Sequence, residues 1–302
     1  MRLISCALLT VILFLCQISM GVQPVLGQDA PIQPEETITL FNGKDLSGFS
    51  TWLMDDHQQD PSRVFTVVDQ IDGQPAIRVS GEGFGGFITR DSYRDYHLIV
   101  EFRWGLTTWG IRQKATRDSG VLLHCQGPEG NSRADFNGPW MRSVEAQIIQ
   151  GGVGDFILIA GYNREGEKLV PELTIPVSRD RDGEPYYDPE AAPETFRGFA
   201  RINWYGRDPD WKDELGFRGI QDVESLVGKW TRLEAICRGD EITYIVNGRV
   251  VNRGFKSSLT AGRILFQTEG AEIYFRRIEL HPVKVLGSGM GASSPFETEP
   301  RP

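Results

Sequence analysis

Apolar and polar residues alternate with a period of two along most of the chain, and helical spacing is scarce. Residues 65–68, 77–79, 96–104, 121–125, 230–237, 241–246, 263–267 and 272–280 form short runs rich in β-branched and aromatic side chains, bounded by Gly, Asp and Asn. Each such run reads as a strand with one buried face. Across residues 96–104 the apolar face is Leu98, Val100, Phe102 and Trp104, opposed by His97, Ile99, Glu101 and Arg103. Residues 230–237 repeat the arrangement, with Leu233, Ala235 and Cys237 against Arg232, Glu234 and Ile236. Between two runs, Asn247-Gly248 supplies the positive φ angles of a type I′ hairpin turn. Many antiparallel strands without intervening helices predict an all-β sandwich or jelly roll.

Two stretches break the pattern. From Gly151 to Gly228 the alternation loosens into a long, turn-rich insertion, a length that in a compact domain is usually functional or disordered. Its Trp204, Tyr205 and Trp211 either stack on a sugar or form a small satellite core beneath the loop. At the N-terminus, Met1-Arg2-Leu3 leads into an apolar run from Ile4 to about Met20, followed by small residues near Gly27. This reads as a secretory signal over residues 1–27, with an uncleaved anchor as the alternative. The residues before Cys16 are too bulky for a lipoprotein site, and no second apolar stretch follows. The protein is therefore expected to be exported, periplasmic or extracellular, without a membrane span once the signal is removed. One domain is expected over residues 38–283, followed by a Gly/Ser/Pro-rich disordered tail over 284–302.

Composition narrows the partners. A net charge of −9 argues against nucleic acid or an anionic membrane. Of four cysteines, Cys6 and Cys16 leave with the signal, and Cys125 and Cys237 sit in apolar runs, which predicts buried free thiols. With only four histidines, a multi-histidine metal cage is not expected.

The residues that carry chemistry stand out against this background. In Glu145-Ala146-Gln147-Ile148-Ile149 a carboxylate and an amide occupy alternate positions of a strand, so they share a face. A carboxylate in a buried strand is costly unless it has a partner or a task. In Asp118-Ser119-Gly120-Val121-Leu122-Leu123-His124, glycine allows a tight turn into a strand, and His124 at the far end is expected to face the same cleft. Glu269, Arg276 and Arg277 add another acid and two cations, although Arg277 could simply pair with Glu279. Most charged sheet faces are merely solvated, and that reading stays open for Glu101, Arg103 and Glu234.

Taken in order, these motifs resemble the 3-keto-disaccharide hydrolase domain family, long catalogued as a domain of unknown function. The resemblance rests on the run from Leu40-Phe41-Asn42-Gly43 to Leu46-Ser47-Gly48-Phe49, on Glu101-Phe102-Arg103, Asp118-Ser119-Gly120-Val121 and Glu145-Ala146-Gln147-Ile148, and on Asn247-Gly248 and the closing segment from Gly262-Arg263-Ile264 through Gln267 to Phe275-Arg276-Arg277-Ile278. It covers roughly residues 38–281. Two features depart from the family's pattern, His124 where arginine is frequent and the long insertion, and both bear on substrate choice more than on fold.

The resemblance implies a concanavalin-A-like jelly-roll sandwich of two antiparallel sheets with a long loop insertion. It also implies a glycoside whose C3 hydroxyl is already a ketone, cleaved by C2 proton abstraction and elimination. That chemistry needs a base, an enolate stabiliser and an acid. The residues expected to supply it are Glu145 as base or metal ligand, His124 as alternative base or acid, and Arg103. The substrate is expected to meet Gln147, Glu101, Trp140, Trp211, Gln267 and Arg276. No cofactor is implied with certainty, but a divalent metal on Glu145, His124 and Glu269 is one option. An ordinary two-carboxylate glycosidase and a non-catalytic carbohydrate-binding module remain as alternatives.

Overall fold

The computed structural model of the protein describes residues 30–283. The expected signal segment and tail lie outside the described residues. Two eight-stranded antiparallel sheets pack face to face as the all-β jelly-roll sandwich that the alternation predicts. One sheet, called here the back sheet, runs in the order Arg249–Gly254, Glu241–Val246, Thr231–Arg238, Tyr96–Thr108, Ala271–Pro282, Gln74–Val79, Phe65–Ile71, with Ile38–Thr39 alongside Ala271–Pro282. The other, the front sheet, runs Ala200–Ile202, Phe156–Ile159, Arg142–Ile149, Asp118–Gln126, Ala261–Glu269, Phe84–Thr89, Phe49–Leu53, with Tyr93–Arg94 on Ala261–Glu269.

The core between the sheets is built from the inward half of each alternating pattern. Leu98, Val100, Phe102 and Trp104 are all buried there, as their shared parity requires. Aromatic rings join the layers. Phe266 stacks on Phe87 at 4.6 Å within the front sheet and meets Phe275 of the back sheet edge-on at 5.5 Å. Truncating Phe266 to Ala removes both of these ring pairs and a third with Phe49, and about 3–5 kcal/mol of unfolding free energy is expected to be lost, checked by denaturant unfolding. Asn247 and Gly248 have φ of 47° and 82° and join their strands in the two-residue turn read from the sequence. Cys125 and Cys237 are buried and free.

The long insertion is largely structured. It donates Phe156–Ile159 and Ala200–Ile202 to the front sheet and folds Glu172–Arg179 between Pro185–Tyr187 and Pro193–Arg197 as a separate three-stranded sheet. Its aromatics mostly serve packing. Trp204 is buried, its indole N–H donating to the Gly151 carbonyl at 3.0 Å. Trp211 donates to the Gln150 carbonyl and lies under the Arg207 guanidinium at 4.2 Å. No helix among the described residues is long and apolar enough to cross a membrane.

Candidate active site

Strand pairing lays the outward side chains of the front sheet in rows. Glu145 stands opposite Leu122 on one side and Ile157 on the other. Leu122 in turn faces Leu265, and Ile157 faces Arg201. One row along, Gln147 stands opposite Gly120. Gln267 follows Leu265 by two residues and so shares its face. A row further come Asp118, at Ile149, and Glu269. The polar groups therefore occupy a diagonal band across three central strands, flanked by the apolar patch of Trp52, Ile88, Leu122, Met141, Ile157, Ile159 and Leu265.

Gly120 is what lets this band close up. A methyl group at that position would overlap Glu145 Oε1 and Gln267 Oε1 together, so the bare backbone leaves the gap in which the two side chains meet. Its role is this close approach within the Asp118–Gln126 strand, where the sequence suggested a turn. Glu145 and Gln267 are both buried, and both Oε1 atoms lack a hydrogen-bond partner. Two facing acceptors are at ease only when one of them carries a proton, or when the Gln267 amide is turned to donate. Burial pushes the Glu145 carboxyl well above the usual carboxylate range, reinforced by Glu269 and Asp118 and opposed by Arg201 and Gln267.

A second cluster adjoins the first. The Arg112 guanidinium is shared between Asp118, to which it donates a short hydrogen bond, and Glu269 at 3.4 Å. Burial raises both carboxyls, and Glu269 is pushed up to about 7. With one cation among three carboxyls, since Arg112 also reaches Asp213 at 3.4 Å, the cluster keeps a proton near neutrality. Arg201 is held by Asp155, to which it donates at 2.7 and 2.9 Å, and Asp155 also accepts from Arg207 and from the Trp204 backbone N–H.

These groups open into a cleft of about 450 Å³ lined by Trp140, Glu145, Gln147, Phe199, Gln267 and Glu269, among others. Phe199 offers an almost fully exposed ring at its rim. Five of the residues expected at the site, Glu145, Gln147, Trp140, Gln267 and Glu269, thus come together.

The others do not. His124 follows a register shift in its strand and has φ of 54°, a bulge that turns its side chain into the core. There its ring meets Tyr96 edge-on at 5.6 Å, Nδ1 shares a hydrogen bond with the Leu259 carbonyl, and burial pushes its pKa down to about 4. It neither faces the cleft nor joins Glu145 and Glu269 as a third metal ligand. Among the described residues no three His, Cys, Asp or Glu side chains are grouped to hold an ion. Glu101, Arg103 and Arg276 lie on the outer face of the back sheet. Arg276 donates to Glu101 at 2.7 Å and covers Trp230, while Arg103 donates to Asp72 at 2.6 Å. Trp211 is engaged by Arg207 rather than offered to a ligand.

Sequence reasoning missed Arg112 and Arg201 and left Asp118 without a role. Arg201 carried a usable signal, since Ala200-Arg201-Ile202 alternates briefly inside the loosened insertion. Arg112 sits in a four-residue 3₁₀ turn, Gly110–Gln113, that has no periodic signature.

Comparison with known proteins places this geometry in context. Among solved structures, two candidate glycosyl hydrolases from Parabacteroides distasonis ATCC 8503 resemble the chain. The first has 16% identity, a TM-score of 0.44, and covers 83% of this chain and 95% of its own. The second has 18% identity, a TM-score of 0.42, and covers 82% and 100%. A carbohydrate-binding module, CBM66 from Bacillus subtilis, has 12% identity and a TM-score of 0.38, covering 77% and 94%. No curated protein matches the chain. Residues 36–281 match the family described as the 3-keto-alpha-glucoside-1,2-lyase-like domain, and the chain belongs to that carbohydrate-acting family.

Proposed function

We propose that the protein is an exported enzyme that cleaves 3-keto-glycosides by elimination, with Glu145 as the base. The observation that carries this reading is the Glu145 carboxyl itself. It is buried on the cleft floor with one oxygen unpartnered, it meets Gln267 in the gap above Gly120, and burial raises its pKa where it lines the cavity. In a 3-keto sugar the ketone acidifies the C2 hydrogen. Glu145 takes that proton, the C1–C2 double bond forms, and the C1–oxygen bond breaks. Gln267, which lines the cleft beside Glu145, is suited to hold the enolate oxygen through its amide N–H as charge develops. Glu269, with its pKa near 7, is suited to protonate the departing oxygen. Addition of water across the double bond would complete a net hydrolysis.

The two-carboxylate glycosidase fits less well. Carboxyl groups would have to lie about 5–5.5 Å or about 6.5–9.5 Å apart. Glu101 and Glu234 are on the other sheet, which leaves Glu269, a cleft residue whose carboxyl the Arg112 guanidinium already engages, as the one of these three that could partner Glu145. The test offers the pure protein a 3-keto-glucoside and its unoxidised parent. Cleavage of the keto sugar is expected, and cleavage of the parent alone would overturn the elimination. The rate is also expected to rise with pH along a limb displaced above the ordinary carboxylate pKa of about 4.3, because the base must be ionised and burial resists ionisation. A rate that is already flat from pH 5 upward would remove Glu145 from that role.

A further inference from the structure

A second cavity, of about 570 Å³, abuts the cleft. Tyr162 lines both. Asn131 and Leu169 face the second cavity, while their chain neighbours Ser132 and Lys168 face the cleft, so a thin wall separates the two. The charge of this cavity runs against the rest of the molecule. In a chain of net charge −9 its lining holds three arginines, Arg142, Arg164 and Arg263, and one acid, Glu165.

The three arginines differ in what they already hold. Arg263 is committed, donating to Glu129 at 2.5 Å and to the Gly127 carbonyl at 3.1 Å. Arg164 is exposed at the mouth. Arg142 is partly buried, and among the described residues no carboxylate pairs with it. Its one side-chain hydrogen bond goes to the neutral amide of Gln126 at 3.1 Å, and its buried Nε has no partner. Its position is fixed from below, since the backbone N–H donates to Asn131 at 2.9 Å and Gly161 packs so close that a Cβ there would lie 2.6 Å from that of Arg142. A partly buried guanidinium held in place without a counter-charge is arranged to receive one.

We propose that this cavity is an anion subsite, in which Arg142, with Arg164 at the mouth, takes a carboxylate or sulfate ester carried on the second sugar of the substrate. The proposal rests on the keto-glycoside reading above and names the substrate class of that same cleft. Arg142 and Glu145 leave one strand on opposite faces, three residues apart, and the cavities they line meet at Tyr162. A substrate that passes Tyr162 from the cleft would bring its second sugar to Arg142, so the anion lies beyond the sugar that loses its proton, on the ring that leaves.

The test compares three 3-keto-glucosyl disaccharides whose second sugar is glucose, glucuronate or glucose 6-sulfate. At low salt kcat/KM for at least one charged disaccharide is expected to exceed that for the neutral one by tenfold or more. The preference should shrink as sodium chloride is raised. It should fall to within about twofold in Arg142→Gln, with Arg164→Gln, an exposed site that does not endanger folding, lowering it in part. The better of the two charged substrates identifies the group. Equal rates for neutral and charged disaccharides at low salt, or a preference that survives in Arg142→Gln, would overturn the subsite. If no keto sugar is turned over, the elimination reading fails by itself. Calorimetric binding of the three unoxidised disaccharides still decides the subsite in that case, with tighter binding of a charged one expected and equal binding overturning it.

Discussion

Replacing Glu145 by Gln is expected to lower turnover of a 3-keto-glucoside by about 10²–10⁴-fold, the usual worth of a positioned acid–base group. The substitution is nearly isosteric. It keeps an acceptor beside Gln267 and removes a carboxyl whose ionisation burial opposes. The melting temperature is therefore expected to stay level or rise, and sugar affinity measured by calorimetry to persist. This combination separates the readings of the fold. A binding module would keep its affinity and have no turnover to lose, whereas an active Glu145→Gln protein would show that another group takes the proton. A loss of activity together with a collapse in melting temperature would mean that Glu145 is structural.

A second large effect is expected in stability against pH. Glu224 is buried, its Oε1 accepts the Gly151 N–H at 3.1 Å, and burial pushes its pKa up to about 8 from the ordinary 4.5. Between these values the folded protein holds a proton that the unfolded chain has released. Stability must then fall as pH rises through that interval. Over pH 6.5 to 8 the loss from Glu224 is on the order of 2 kcal/mol. Glu269, raised to about 7, acts in the same direction over the lower part of the window. His124 is depressed to about 4 and contributes the opposite slope, with stability lost as pH falls from 6.5 towards 4, so it does not enter above 6.5. Calorimetric melting at pH 6.5, 7.25 and 8 is expected to show a falling midpoint in the parent and a flatter profile in Glu224→Gln. A parent profile without slope over this window would show that Glu224 is not held neutral.

The strands and their faces were legible because alternation directly encodes which side of a sheet is dry. Leu98, Val100, Phe102 and Trp104 follow from parity, and so does the shared face of Glu145 and Gln147. What parity does not encode is the sheet to which a charged face belongs. Glu101, Arg103 and Arg276 repeat the pattern of a cleft wall, yet they coat the outside of the back sheet, because a solvated face and a binding face look alike along one strand. His124 fails for a different reason. Counting by twos from Asp118 puts it in the cleft, but one bulge residue reverses the count, and nothing in Leu123-His124-Cys125 announces it. Arg201 arrives from a sequence-distant segment and only the pairing register brings it to the row of Glu145, while Arg112 reaches Glu269 from a 3₁₀ turn.

The ion pairs of the back sheet have a consequence for the molecule in a crowded solution. Arg78 with Glu272, Arg276 with Glu101, and Glu234 with His97 and Arg232 cover its outward face. A second molecule settling there would have to strip water from each of these pairs, and the new attractions across the junction would rarely repay that desolvation. The broad back of the sandwich is thus a face whose burial against a neighbour would be costly.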